Sequence, residues 1–117
     1  MPGSKFDEKI PVIRTCFDLE TDLTSSELIS IINDPEKRLK WDKDATLEFI
    51  NITNTPDCVD YYSLSKAPWP LKNRDWVERR YTRHLPDGDL YTFYSHVESG
   101  DHPPRENCER AMTLFGG

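Results

Sequence analysis

Three residues spaced two apart, Trp76, Glu78 and Arg80, carry the first hint of chemistry in this chain. In a strand that spacing puts an aromatic ring, a carboxylate and a guanidinium in one row on one face. On a covered, concave face Glu78 and Arg80 become a candidate buried pair, because buried charges need partners or ligands. On an open face they are an ion pair that only fixes the sheet. A second pair, Arg38 and Asp42, lies four residues apart and so on one side of a helix. By itself it reads as a solvated salt bridge or a helix-end contact, with Trp41 packing the helix onto the sheet. Tyr61 and Tyr62 point to opposite faces of their strand, one toward core or cavity and the other toward the surface.

Other chemistries find little support. A zinc site needs His and Cys in close pairs, but His84, His96 and His102 sit in separate segments without a Cys-x-x-Cys. No flanking signature supports a Cys–His nucleophilic pair. With five glycines, two of them terminal, there is no Gly-rich phosphate loop. The basic run Arg79, Arg80, Arg83 and His84 is split by strand alternation, which leaves Arg79 and Arg83 on a solvated face. We therefore expect neither a cofactor nor a metal.

These residues must be positioned by a single small domain. The chain has 117 residues, 36% of them apolar and 31% charged, and 11% aromatic residues argue for a folded chain. A net charge of −6 gives no general attraction to nucleic-acid phosphate. No apolar run approaches the ~20 residues that span a bilayer. Residues 1–9 are polar and lack a signal-peptide core, so they read as a frayed tail before a domain over 10–117. Cys16, Cys58 and Cys108 are odd in number and far apart, which suggests free thiols in a reducing, cytoplasmic setting.

Along the chain, loose alternation over Ile10–Leu19 suggests a strand. Thr24 with Glu27 three residues later is a capping box, followed by Leu28, Ile31 and Ile32 at helical spacing. That helix should stop near Asp34, before Pro35, which can open a second short helix. Strands then follow over Leu47–Ile52, Val59–Ser65, Asp75–Arg83, Leu90–Val97 and Glu109–Phe115. The Pro68-Trp69-Pro70 segment is a loop, and Pro86-Asp87-Gly88 is a turn. The order is strand, helix pair, then about five strands, an α+β meander.

Two motifs carry a resemblance. Arg38-Leu39-Lys40-Trp41-Asp42 has the pattern R-x-x-W-D, and Pro68–Val77 has the pattern P-x-P-L-x-N-R-D-aromatic-V. With His96-Val97-Glu98-Ser99, His102-Pro103 and Arg110-Ala111 downstream, the chain from about Ile10 to Gly117 resembles the START (StAR-related lipid-transfer) domains, most closely their phosphatidylcholine-transfer branch. The resemblance implies a helix-grip fold, in which a curved antiparallel sheet and capping helices enclose a hydrophobic tunnel. It also implies non-enzymatic binding and transfer of a phospholipid or sterol. A full START domain is longer, so the chain reads as a partial one without the C-terminal lid helix.

Carried over residue by residue, the branch's headgroup contacts fall on Arg38 and Asp42. Its strand-entry cage aromatic, which holds a quaternary ammonium by cation–π attraction, falls on Trp76. The other cage positions fall near Ser63 and Leu114, neither aromatic, so choline is not expected. The sterol branch's tunnel arginine falls on Arg80. Tyr61, Ser63, Trp76, Glu78, Arg80, Leu114, Arg38 and Asp42 are thus the expected lipid-binding set, with Trp69 as a transient membrane contact. Two readings compete. One is a polyketide-cyclase-type enzyme on the same scaffold, using Glu78 or His96 as acid or base. The other is an interaction module that forms a homodimer through an open sheet.

Overall fold

The computed structural model describes residues 12–114, 116 and 117. Two helices, α1 (Ser25–Asn33) and α2 (Pro35–Trp41), precede strands β1 (Thr46–Asn51), β2 (Cys58–Ser65), β3 (Asn73–His84), β4 (Leu90–His96) and β5 (Cys108–Arg110). The architecture is α+β in the helix-grip arrangement.

The helix pair is set by its caps. The Thr24 hydroxyl accepts from the Glu27 N–H at 3.1 Å, and the Glu27 carboxylate accepts from the Thr24 N–H at 3.3 Å. Asp34 ends α1 in an extended conformation and caps α2 by accepting from the Lys37 N–H at 3.0 Å. Pro35 occupies the first turn of α2, where its missing N–H costs nothing.

Strands β1 to β4 form an antiparallel meander in sequence order. The last strand departs from expectation. It covers Cys108–Arg110 rather than Glu109–Phe115, and it runs parallel to the entry of β3, pairing Asn73 with Cys108 and Asp75 with Arg110. Thr113 and Gly116 then pair with β4 instead: the His96 N–H donates to the Thr113 carbonyl at 2.9 Å, and the Tyr94 N–H to the Gly116 carbonyl at 2.8 Å. Val12–Leu19 also differ. Their apolar side chains are exposed, Val12 by 84% and Phe17 by 78%, and among the described residues they join no strand. Alternation without a partner edge is not enough to make a strand. Ile10, Phe115 and the expected tail over 1–9 lie outside the described residues.

The core proper lies on one face of the sheet. Tyr62, Leu64 and Val77 are buried there, with Ile52, Val97 and Cys108 packed against them. Asp75 on the same face is fully buried. Its carboxylate accepts from the Tyr62 hydroxyl at 2.9 Å and the Arg110 Nε–H at 2.8 Å, while Arg110 also donates to the His102 carbonyl at 2.9 Å. Arg105 reaches across to Glu48, donating to its Oε1 at 3.0 Å, and lies 4.6 Å from the Tyr62 ring centre. The segment from 99 to 110 is thereby pinned over this face, and the opposite face is left to the helices.

Candidate functional site

The opposite face of the sheet and the helix pair enclose a half-open cavity of about 370 Å³. Strand parity decides which side chains reach it. β2 contributes Tyr61, Ser63 and Ser65; β3 contributes Trp76, Glu78 and Arg80; β4 contributes Thr92 and Tyr94. Ile29, Ile32 and Asn33 of α1, and Arg38 of α2, form the helical wall. A second recess of about 270 Å³ adjoins it and shares Ile29, Asn33 and Arg80.

Two charged side chains of this cavity are buried. Glu78 is 5% exposed and Arg80 8%. They share a face, as their spacing predicted, but they form no ion pair among the described residues. Glu78 instead turns across the sheet to Tyr61, whose hydroxyl donates to Glu78 Oε1 at 2.6 Å. The register explains this: Tyr61 stands directly opposite Glu78, whereas Arg80 lies two residues along the same strand. Burial, then the adjacent carboxylate, pushes the Tyr61 phenol above its ordinary pKa. The Arg80 guanidinium sits 5.1 Å from the Tyr61 ring centre. Burial lowers its pKa, and the positive charge of Arg38 adds to that. Among the described residues no carboxylate pairs with it, so a cation faces the cavity without its counter-charge.

Arg38 is held at the cavity wall. Its Nε–H donates to Asp42 Oδ2 at 3.2 Å, and the Thr46 hydroxyl donates to the same oxygen at 2.7 Å. The guanidinium lies 4.8 Å from the Trp41 ring centre and 5.4 Å from that of Phe49. The R-x-x-W-D motif is thus one arginine braced by three groups.

A larger groove of about 500 Å³ runs between residues 70–74 and 109–111. Its most buried cation, Arg110, is already committed to Asp75. The smaller cavity is the better candidate because its buried cation is uncommitted. Among the described residues no cluster of His, Cys, Asp and Glu could hold a metal ion.

The sequence profile of the START domain matches residues 4–117. The chain belongs to the START family. Mouse and human START domain-containing protein 10 are each 34% identical over 99 residues, covering 82% of this chain and 33% of the relative. The chain spans a third of the length of these curated relatives. The crystal structure of human STARD10 superposes with a TM-score of 0.72 at 27% identity, over 80% of this chain and 38% of that one. Human StAR-related lipid transfer protein 5 superposes with a TM-score of 0.62 at 22% identity, over 75% and 45% of the two chains, and so shares the fold.

On this START scaffold six of the expected residues meet at the cavity: Arg38, Tyr61, Ser63, Trp76, Glu78 and Arg80. Three do not. Asp42 does not line the cavity; it sits behind Arg38, its Oδ2 taken by Arg38 and Thr46. Leu114 is 37% exposed, and Thr113 beside it reaches the cavity instead. Trp69 is 92% exposed on the β2–β3 loop, remote from the cavity and free to touch a surface. Trp41 was expected to pack α2 onto the sheet; it is 52% exposed and stacks with Arg38. Among the lining residues missed by the motifs are Thr46, Phe49, Tyr94 and Asn33. Tyr94 was within reach of parity, since it pairs directly with Arg80.

Proposed function

We propose that this chain binds a single lipid without chemical turnover, with the polar group beside Arg80 and Arg38 and the apolar body between α1 and the sheet, and that the protein carrying it transfers that lipid between membranes. The observation that supports the reading most is Arg80: a cation 8% exposed, in a cavity, without a counter-charge among the described residues. Such a group is costly unless a ligand supplies the partner. A phospholipid phosphate would take two charge-assisted contacts, from Arg80 and Arg38. A sterol hydroxyl would take one, which makes phospholipid the favoured class. The cavity lies within the about 300–1,000 Å³ of small-ligand sites, and the apolar part of the lipid would lie against Ile29 and Ile32 of its helical wall.

Trp69 is the proposed membrane contact. Its ring stands in solvent on a loop that also carries Leu71, which is 57% exposed, and Lys72. An aromatic ring with a neighbouring cation suits the bilayer interface. A cytoplasmic setting fits the three free cysteines.

The test is native mass spectrometry of the purified chain, then extraction and identification of what it carries. A stoichiometric phospholipid or sterol is expected. An empty chain that stays empty after incubation with mixed-lipid vesicles overturns the reading. Turnover of a small aromatic substrate would turn it toward the cyclase class.

A further inference from the structure

Three buried side-chain atoms have no hydrogen-bond partner among the described residues: Asn51 Oδ1, Glu78 Oε2 and His96 Nδ1. The sheet register places all three residues in one line. Asn51 stands opposite Tyr61, Tyr61 opposite Glu78, and Glu78 opposite His96. Directly opposed residues share a face, with Cβ atoms about 4.5–5.5 Å apart. The row therefore crosses β1 to β4 on the cavity-facing side of the sheet, with Tyr61 and Glu78 lining the cavity and Asn51 the adjoining recess, and every unpartnered buried side-chain atom among the described residues falls on it.

With His96 in its neutral form, all three atoms are acceptors. Asn51 offers its carbonyl oxygen and Glu78 its second carboxylate oxygen. His96 Nε2 lies 2.9 Å from Glu98 Oε1, a carboxylate that can only accept, so Nε2 carries a proton. In the neutral ring Nδ1 is then a lone pair. The fourth member, Tyr61, has spent its only O–H on Glu78 Oε1. Buried acceptors left unpaired are unfavourable, because each has lost its water without gaining a donor. The row is complementary to a group that brings N–H or O–H bonds. The terminal torsion of a glutamate is broad, so Oε2 turns toward the cavity at little cost.

We propose that Glu78, with His96 beside it, is a donor-selective subsite: it accepts hydrogen bonds from the bound lipid, so that the chain prefers lipids whose polar group carries N–H or O–H over otherwise identical lipids in which those hydrogens are replaced by methyl groups. The inference rests on the lipid-binding reading and deepens it. Arg80 and Arg38 attract the anionic part of a headgroup, and Glu78 takes the donor on the other part. Four aromatic rings line the cavity, Phe49, Tyr61, Trp76 and Tyr94, but Phe49 and Tyr61 already face the guanidinium groups of Arg38 and Arg80. A primary ammonium and a hydroxyl satisfy the same acceptors, and the experiment separates them.

The chain is incubated with vesicles of phosphatidylcholine mixed with one competitor of the same acyl chains, and the extracted lipid is quantified. The competitors are phosphatidylethanolamine and its mono- and dimethylated forms. In a second arm, cholesterol competes with cholesterol methyl ether. Enrichment of the unmethylated species by about tenfold, the scale of one hydrogen bond to a charged donor, is expected in whichever arm contains the native class. In Glu78→Gln the ratio should fall toward one. The wild-type series alone decides the matter if that variant does not fold. Equal uptake along both series, or an unchanged ratio in a folded Glu78→Gln, overturns the subsite and leaves lipid binding standing. No uptake of any lipid overturns both.

Discussion

Arg110 grips Asp75 from 35 residues away, its Nε–H donating to Oδ1 at 2.8 Å while the Ala111 N–H donates to the Asp75 carbonyl at 2.8 Å. Asp75 is fully buried and also accepts from Tyr62. The aspartate of the N-R-D motif is therefore a staple for the chain between β4 and β5 and no part of the cavity. Breaking a buried pair from one side costs about 3–5 kcal/mol. Asp75→Asn should destabilise the chain by about that amount, read as a lower urea midpoint. An unchanged midpoint would show that the staple carries no stability.

Tyr61 and Tyr62 give an alkaline signature. Burial and a bonded carboxylate raise both phenols above the usual value of 10.0. A raised folded pKa contributes stability that is complete below the unfolded value near 10 and is lost as pH rises toward the folded value. Two of the five tyrosines should thus stay out of the phenolate absorbance above pH 10, appearing only as the chain unfolds. Full ionisation of all five in a still-folded chain would contradict the two buried hydrogen bonds.

Arg80 should trade stability for function. A buried cation without a partner costs stability, so a similar apolar chain in its place is expected to be neutral or stabilising. Arg80→Met should melt no lower than wild type, yet lose phospholipid uptake by an order of magnitude or more. A variant that melts lower and still binds would mean that Arg80 serves the fold.

Trp69→Ala should leave the melting temperature within error, because the ring is 92% exposed. Its binding to liposomes should weaken several-fold, as a buried aromatic surface is lost from the interface. Co-sedimentation equal to wild type would remove Trp69 from the membrane contact.

Much of this was readable from local rules. The capping box at Thr24 and Glu27, the stop at Asp34, and the parity that sends Tyr61 and Tyr62 to opposite faces depend only on neighbours in the chain. What was not legible depends on partners that are distant in sequence. The expected Glu78–Arg80 pair failed because a strand holds same-face residues two positions apart, whereas its neighbour across the ladder, Tyr61, stands closer and offers a hydroxyl. The truncation of the last strand follows from Arg110 meeting Asp75, and the bond between Arg105 and Glu48 spans 57 residues. Val12–Leu19 alternate well enough for a strand, but a strand is a relation between two segments, and no described residue supplies the second.

The alternation of Tyr61 and Tyr62 has an evolutionary consequence. The buried network of Tyr62, Asp75 and Arg110 lies on one side of the sheet, and the proposed ligand contacts of Tyr61, Ser63, Glu78 and Arg80 lie on the other. Mutations on the second side leave the first intact. If the proposed cavity binds ligand, a lineage built on this scaffold can change its ligand in single steps, without passing through an unfolded ancestor.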